Sequence, residues 1–211
     1  MHPTVFTAFG DVCAELRAQR QVPEGPILEL GASPHHRSLL TLSALPEAPE
    51  RIGIGLDGAV VGDGFTIHTG NTHDLSRFPN ATFALVLSNA LLEHDAQFWL
   101  TVAEAHRVLA PGGWFVCGVP GYGRMGMVPT PPAARYLARI PRAKRRLRTW
   151  RALTAPASLT LGVHNYPGDY YRFSEQSMRE VILGGMTDIS TRTVMDVPRI
   201  IGAGRKSVAT A

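Results

Sequence analysis

The stretch "ILELGASPHHRSLL", Ile27 to Leu40, decides how the rest of the chain is read. Four residues, three of them apolar, make a short buried strand. Gly31 breaks it with a turn, and Ser33 and Pro34 have the chemistry of a helix start. A serine hydroxyl can accept from orphan amides of a first turn, and proline fits the first helical position. Strand, tight turn and helix form the opening unit of nucleotide-binding α/β domains. The usual glycine-rich turn of such units is reduced here to Gly31. His35, His36 and Arg37 follow, and cations in a first helical turn oppose the helix dipole.

Outside this stretch the composition is that of a soluble globular protein. The chain has 211 residues, 45% of them apolar and 18% charged, which suits one domain with a full core. Cys13 and Cys117 lie far apart and lack metal-ligand spacing, so a reducing compartment, the cytoplasm, is expected. The opening residues contain no basic region followed by a long apolar run, so no signal peptide is expected. No run approaches the roughly 20 apolar residues that span a bilayer. The net charge is +4, but eight basic residues sit between Arg135 and Arg151. The remainder holds 13 basic and 17 acidic residues, a net of −4. Basicity is therefore local, and a nucleic-acid-binding surface is not expected.

Apolar spacing predicts a first helix over Thr4–Arg20. Strands follow at "ILEL", "RIGIG", "FTIHTG", "TFALVLSN" and "WFVCGVP", with a helix over Asp95–Leu109 before the fifth. A Gly/Pro-rich and basic insertion runs from Gly121 to Gly168. A helix over Ser174–Leu183 precedes two closing strands, "TDISTRTVMD" and "RIIGAGRKS". Alternation of strands and helices implies a doubly wound, mostly parallel α/β sheet of seven strands. The last two strands are joined too closely for a crossover and must form an antiparallel hairpin. The expected organisation is one domain, 1–211, with residues 121–168 as a lid over the ligand mouth.

Ligands of such sheets bind beyond the carboxyl ends of the parallel strands. Those ends offer Glu29, Gly31, Ala32 and Ser33 from the first strand and Asp57 from the second. Asn71 and Thr72 follow the third, Ser88, Asn89, Glu93 and His94 the fourth, and Tyr122 the fifth. An acid closing the second strand suits ribose hydroxyls, although Asp57 also forms a simple Asp-Gly turn with Gly58. Asn71 can read an adenine edge or serve as a turn former. The eight histidines show no H-E-x-x-H or related spacing, so no metal site is expected.

Three segments together resemble the class I S-adenosylmethionine-dependent methyltransferases, among them the small single-domain, type 11-like members. "LELGAS" is similar to their first motif and "GLDG" to their acidic second motif. "GNTHDLSRFPNATFALVLSNALLEHDAQFWLTVAEAHRVLAPGGWFVCGVP" is similar to the block from adenine loop to fifth strand. The resemblance covers roughly Ile27 to Lys206. It implies a Rossmann-like methyltransferase fold, S-adenosylmethionine as cofactor and methyl transfer as activity. It assigns cofactor contacts to Glu29, Gly31, Ala32, Ser33, Asp57, Asn71, Thr72 and Ser88. His94 and Asp169 become the catalytic candidates. Tyr122, His164, Tyr170 and Arg172 become substrate contacts.

The expected reaction is transfer of a methyl group to an oxygen or nitrogen of a small, hydroxylated or acidic molecule, such as a natural product or sugar. A competing expectation is a methyltransferase-like protein with a non-methylating biosynthetic or binding role. A nicotinamide-dependent oxidoreductase is a poor third, since the phosphate-binding glycines are missing. The basic stretch can be an amphipathic lid, a receptor for an acidic substrate, a contact to an anionic membrane surface or a solvated face. Stable membrane insertion is not expected, and a homodimer is one option for the assembly.

Overall fold

The structure, a computed structural model, describes residues 1–19, 21–122 and 168–208. Its centre is one eight-stranded sheet. The strands are β1 (Ile27–Leu30), β2 (Arg51–Gly55), β3 (Val60–Gly62), β4 (Phe65–Thr69), β5 (Phe83–Asn89), β6 (Leu109–Pro120), β7 (Thr187–Val194) and β8 (Arg199–Arg205). Their order is β3-β4-β2-β1-β5-β6-β8-β7. Strands β4, β2, β1, β5 and β6 run parallel, and β8 is antiparallel to both β6 and β7. The expected α/β class, parallel core and closing hairpin are all present. The eighth strand is β3, a three-residue edge strand paired antiparallel to β4. The fifth expected strand begins five residues earlier, because "LAPGG" joins the sheet through an irregularity between Phe83 and Leu85.

Helix α1 (Pro3–Ala18) and α2 (Phe98–Val108) cover opposite faces. Val5, Phe6, Phe9, Val12 and Leu16 of α1 pack with Ile27, Leu85, Leu87, Val116 and Ile201. Val102, Ala105 and Val108 of α2 pack with Leu28, Leu30, Val86 and Phe115 on the other face. Alternate residues of β1 and β5 therefore serve opposite cores, as a strand buried on both faces requires. The last helix is irregular. One α-helical turn, Glu175–Ser177, is capped by Ser174 and widens into a π-helical stretch over Met178–Ile182.

The expected helix after β1 does not form. Residues 31–38 are turns and irregular chain, followed by a single 3-10 turn over Leu39–Thr41. Ser33 Oγ accepts from the amide of His35, which makes a local turn and not a helix cap. The physical reason lies in β1. The Glu29 carboxylate is buried and accepts from Ser38 Oγ and from the Leu39 amide at 3.0 Å. Those groups are captured nine and ten residues downstream, and "PHHRS" has no apolar stripe to stabilise a helix instead. Leu39 and Leu40 still reach the core, beside α1. Without a helix, the cationic residues meet no dipole, and the Arg37 guanidinium lies 3.6 Å from the centre of the Phe6 ring.

Candidate active site

In the sheet order, β1 is flanked by β2 on one side and β5 on the other. The crossover direction reverses between β1 and β5, and this switch point opens a crevice at the strand ends. A cavity of about 560 Å³ lies there. Its wall includes Glu29, Gly31 and Ser33 from β1 and its turn, and Asp57 beyond β2. Asn89, Ala90 and His94 line it beyond β5, Arg199 from β8, and His2 and Val5 from the start of α1. The volume suits one medium-sized organic ligand or a ligand pair sharing one cleft.

Two glycines shape the β1–β2 end of the cavity. Gly31 has a φ of +78°, and a β-carbon there would stand 3.0 Å from Leu91 Cβ. The amides of Gly31 and Ala32 both donate to the Ile54 carbonyl of β2, drawing the turn across β2. A β-carbon on Gly55 would lie 1.8 Å from the Ala32 carbonyl oxygen, so glycine is required beneath this crossing. Ala32 itself is buried in that contact. Asp57 is exposed at the end of β2 and faces the same cavity. The buried Glu29 carboxyl is pushed above the ordinary carboxylate range by desolvation, against the pull of its bonds to Ser38 and Leu39. Those bonds tie the turn to β1, and Glu29 also lines the cavity.

The other expected cofactor contacts sit elsewhere. Ser88 is fully buried within β5, in register with Leu30 and Cys117, and does not line the cavity. Asn89 and Ala90 take that place. Asn71 Oδ1 accepts from the His73 amide and forms a turn. Thr72 Oγ1 bonds Thr101 Oγ1 at 2.8 Å, and Thr101 Oγ1 in turn donates to Asp95. His73 Nε2 also meets Asp95, at 2.8 Å. This chain of polar contacts ties the loop after β4 to α2. Neither Asn71 nor Thr72 lines the cavity.

The returning segment docks beside the mouth. Phe173 N donates to the Pro120 carbonyl, and the amides of Tyr170 and Tyr171 donate to that of Glu93. Tyr171 Oη donates to the Ala96 carbonyl. Both Arg172 Nη atoms bind the Asp169 carboxylate. Asp169 and Arg172 thus form a fork-to-fork latch, and neither is part of the cavity wall. Tyr122 and Tyr170 are exposed, at 62% and 60%. His164, and nearly all of the 121–168 insertion, lie outside the described residues.

Two residues not assigned a role from sequence stand behind His94. Glu93 is fully buried, and its Oε1 lies 3.5 Å from Arg199 Nη1. Burial raises its carboxyl to about 7, outweighing the opposing pull of Arg199. Arg199 opens β8 opposite Pro120. Among the described residues, no group of three or more His, Cys, Asp or Glu is placed to hold a metal. No described helix is long and apolar enough to cross a membrane.

Residues 53–117 match a family model described as a methyltransferase domain. No curated protein matches the chain. Solved structures with a similar fold include a possible exported protein from Bordetella parapertussis (TM-score 0.57, 18% identity, covering 96% of this chain and 68% of that one). A second is a methyltransferase from Thermotoga maritima, described as a possible histamine N-methyltransferase (0.54, 12%, covering 96% and 92%). A third is 1,6-didemethyltoxoflavin-N1-methyltransferase from Burkholderia thailandensis, holding S-adenosylhomocysteine (0.55, 14%, covering 95% and 79%). The match over residues 53–117 and the sheet order agree with the fold of these methyltransferase structures, and the cavity lies at its switch point.

Proposed function

We propose that this domain methylates an oxygen or nitrogen of a small molecule, in the cavity at the β1–β5 switch point. One observation carries the reading. The same cavity is walled by Gly31 and Asp57 from the β1 and β2 ends and by His94 and Arg199 from the far side. Donor and acceptor therefore share one cleft.

The residues present fit the cofactor. Asp57 is free at the cavity edge to accept from ribose hydroxyls, and the turn at Gly31 leaves backbone room beside it. Without a helix after β1, no helix N-terminus there offers amides to the methionine carboxylate. Arg37, held on Phe6 in the cavity wall, supplies positive charge there instead. When bound, S-adenosylmethionine supplies an electrophilic sulfonium methyl. This chain holds the nucleophile in line with it, and proximity accounts for much of the acceleration. His94 lines the cavity, which supports it as the group that accepts the proton of a hydroxyl or ammonium acceptor. Asp169, engaged with Arg172, steadies the returning segment. The insertion serves as a lid that selects the acceptor, with Tyr122, Tyr170 and His164 along its path. The Thermotoga neighbour, a possible histamine N-methyltransferase, and the Burkholderia N1-methyltransferase support nitrogen as one acceptor atom. A cytoplasmic biosynthetic role accords with the two thiols, both buried and unpaired as a disulfide.

Calorimetric titration with S-adenosylhomocysteine tests this reading. Binding is expected, with Asp57→Ala weakening it by on the order of 1.5–3 kcal/mol while the variant stays folded. No heat and no thermal shift at millimolar ligand would overturn it.

A further inference from the structure

Arg199 is a cation that methyl transfer itself does not require. It begins β8, and β1, β5 and β6 lie between that strand and β2, where Asp57 sits. Four strand spacings of about 4.8 Å put the two ends of the cleft roughly 19 Å apart along the sheet. The carboxylates Glu29 and Asp57 thus mark the β1–β2 half of the cavity, and Arg199 marks the opposite half, on the side of His94.

The bonding of Arg199 differs sharply from that of its neighbour. Arg172 places both Nη atoms on the Asp169 carboxylate. Among the described residues, the ion-pair partner of Arg199 is Glu93, at 3.5 Å, too long for a good charge-assisted hydrogen bond. Among the described residues, Arg199 Nη1 and both Glu93 carboxylate oxygens are buried without a hydrogen-bond partner. The Arg199 side chain is only 19% exposed, so water does not fully solvate it. A buried charge without close partners is costly, and one in a cavity wall is satisfied best by a ligand of opposite charge. Burial also lowers the guanidinium's proton affinity from its ordinary value, in keeping with that incomplete pairing.

We propose that Arg199 is the receptor for a carboxylate on the methyl acceptor, so that the acceptor is a carboxylate-bearing small molecule anchored on β8 with its nucleophile toward His94. The guanidinium fork matches a planar carboxylate in two parallel hydrogen bonds. Arg37 lies toward the Gly31 turn, so among the described residues one guanidinium lines the His94 side, which suits a monoanion. A phosphate dianion calls for more positive charge, and Arg172 is already saturated by Asp169. Glu93 acts as a resting counter-ion from behind. This proposal rests on reading the cavity as a shared donor–acceptor cleft.

The test separates the two claims. S-adenosylhomocysteine binding is measured first and bears on the cofactor reading alone. Acetate, benzoate and 4-hydroxybenzoate are then compared with their neutral amides by NMR titration, on the protein with and without S-adenosylhomocysteine. The carboxylates are expected to bind at least roughly tenfold more tightly than the amides. That preference should vanish in Arg199→Gln and fall only in part in Arg199→Lys, which keeps charge without the fork. S-adenosylhomocysteine affinity should be unchanged in both. Should Arg199→Gln fail to fold, the lysine variant and Glu93→Gln carry the test, the latter tightening carboxylate binding by removing the internal competitor. Three results would overturn the proposal: carboxylates no better than amides, a preference that survives without Arg199, or inorganic phosphate binding more tightly than any carboxylate. Competition between benzoate and S-adenosylhomocysteine, with cofactor affinity lost in Arg199→Gln, would also overturn it by assigning Arg199 to the cofactor's own carboxylate.

Discussion

Glu93 shows how one residue at the mouth couples chemistry to stability. It is buried, and desolvation raises its carboxyl from 4.5 to about 7. Arg199 faces it from β8, Asp169 and Arg172 from the returning segment, and Cys117 from β6. The folded protein therefore binds a proton more tightly at Glu93 than the unfolded chain does. The stability this contributes is present in full below the unfolded value of 4.5 and is lost as pH rises through about 7. A shift of this size corresponds to something on the order of 3 kcal/mol. Glu93→Gln removes the titration and keeps the shape. Urea melts at about pH 5 and about pH 8 should show the variant gaining on the parent at the higher pH, by up to that amount. Glu29 is raised by the same cause, but it is present in both proteins and cancels in the difference. Parallel pH curves for the two proteins would show that Glu93 does not titrate differently on folding.

At the scale of elements, the turn after β1 stands on the glycines of β2. Gly55→Ala would push a methyl group to within 1.8 Å of the Ala32 carbonyl oxygen, and backbone cannot yield as a flexible side chain can. The loop must lift from β2 or the strand must shift. Overpacking of this kind costs about 3 kcal/mol, and S-adenosylhomocysteine binding should fall with it, because Gly31 and Ser33 ride on the same loop. A variant with wild-type affinity and melting temperature would show that the crossing is not tight. The same turn marks where sequence reading reached its limit. The strands were legible because apolar runs of four to seven residues have few other uses. The Ser33–Pro34 start was also legible, yet the helix is absent, since Glu29 captures Ser38 and Leu39 and α1 covers that face. Local signals do not report a carboxylate that acts ten residues away. Arg199 escaped for a topological reason. The residues after parallel strands point to the mouth, but β8 runs antiparallel, and its first residue is the one at the mouth.

For the whole molecule, strand–helix alternation foretold the parallel sheet and its closing hairpin, and the switch point then located the cleft. The short strand β3 went unread because Val60–Gly62 is a three-residue edge with exposed valines and no apolar run. The insertion between Tyr122 and Gly168 begins at the end of β6 and returns through a segment held on Glu93, next to His94 of the cavity wall. It also carries the eight basic residues, while the rest of the chain is net acidic. A long segment entering and leaving at a ligand mouth is most often a functional lid. A cationic lid would attract an anionic acceptor over distances of about a Debye length, roughly 8–10 Å at moderate salt. Arg142, Lys144, Arg145 and Arg146, which lie outside the described residues, are the cluster to test. Their joint replacement by alanine should leave S-adenosylhomocysteine affinity unchanged, because Asp57 and Gly31 sit at the other half of the cleft. The acceptor KM should rise, and its dependence on ionic strength should become shallower, since steering by surface charge is what salt screens. The close-range carboxylate preference at Arg199 should persist, as a partly buried guanidinium is screened far less than an exposed cluster. Titrations at low and high salt separate the two contributions. Loss of cofactor affinity with an unchanged acceptor KM would place the basic cluster over the donor half of the cleft instead.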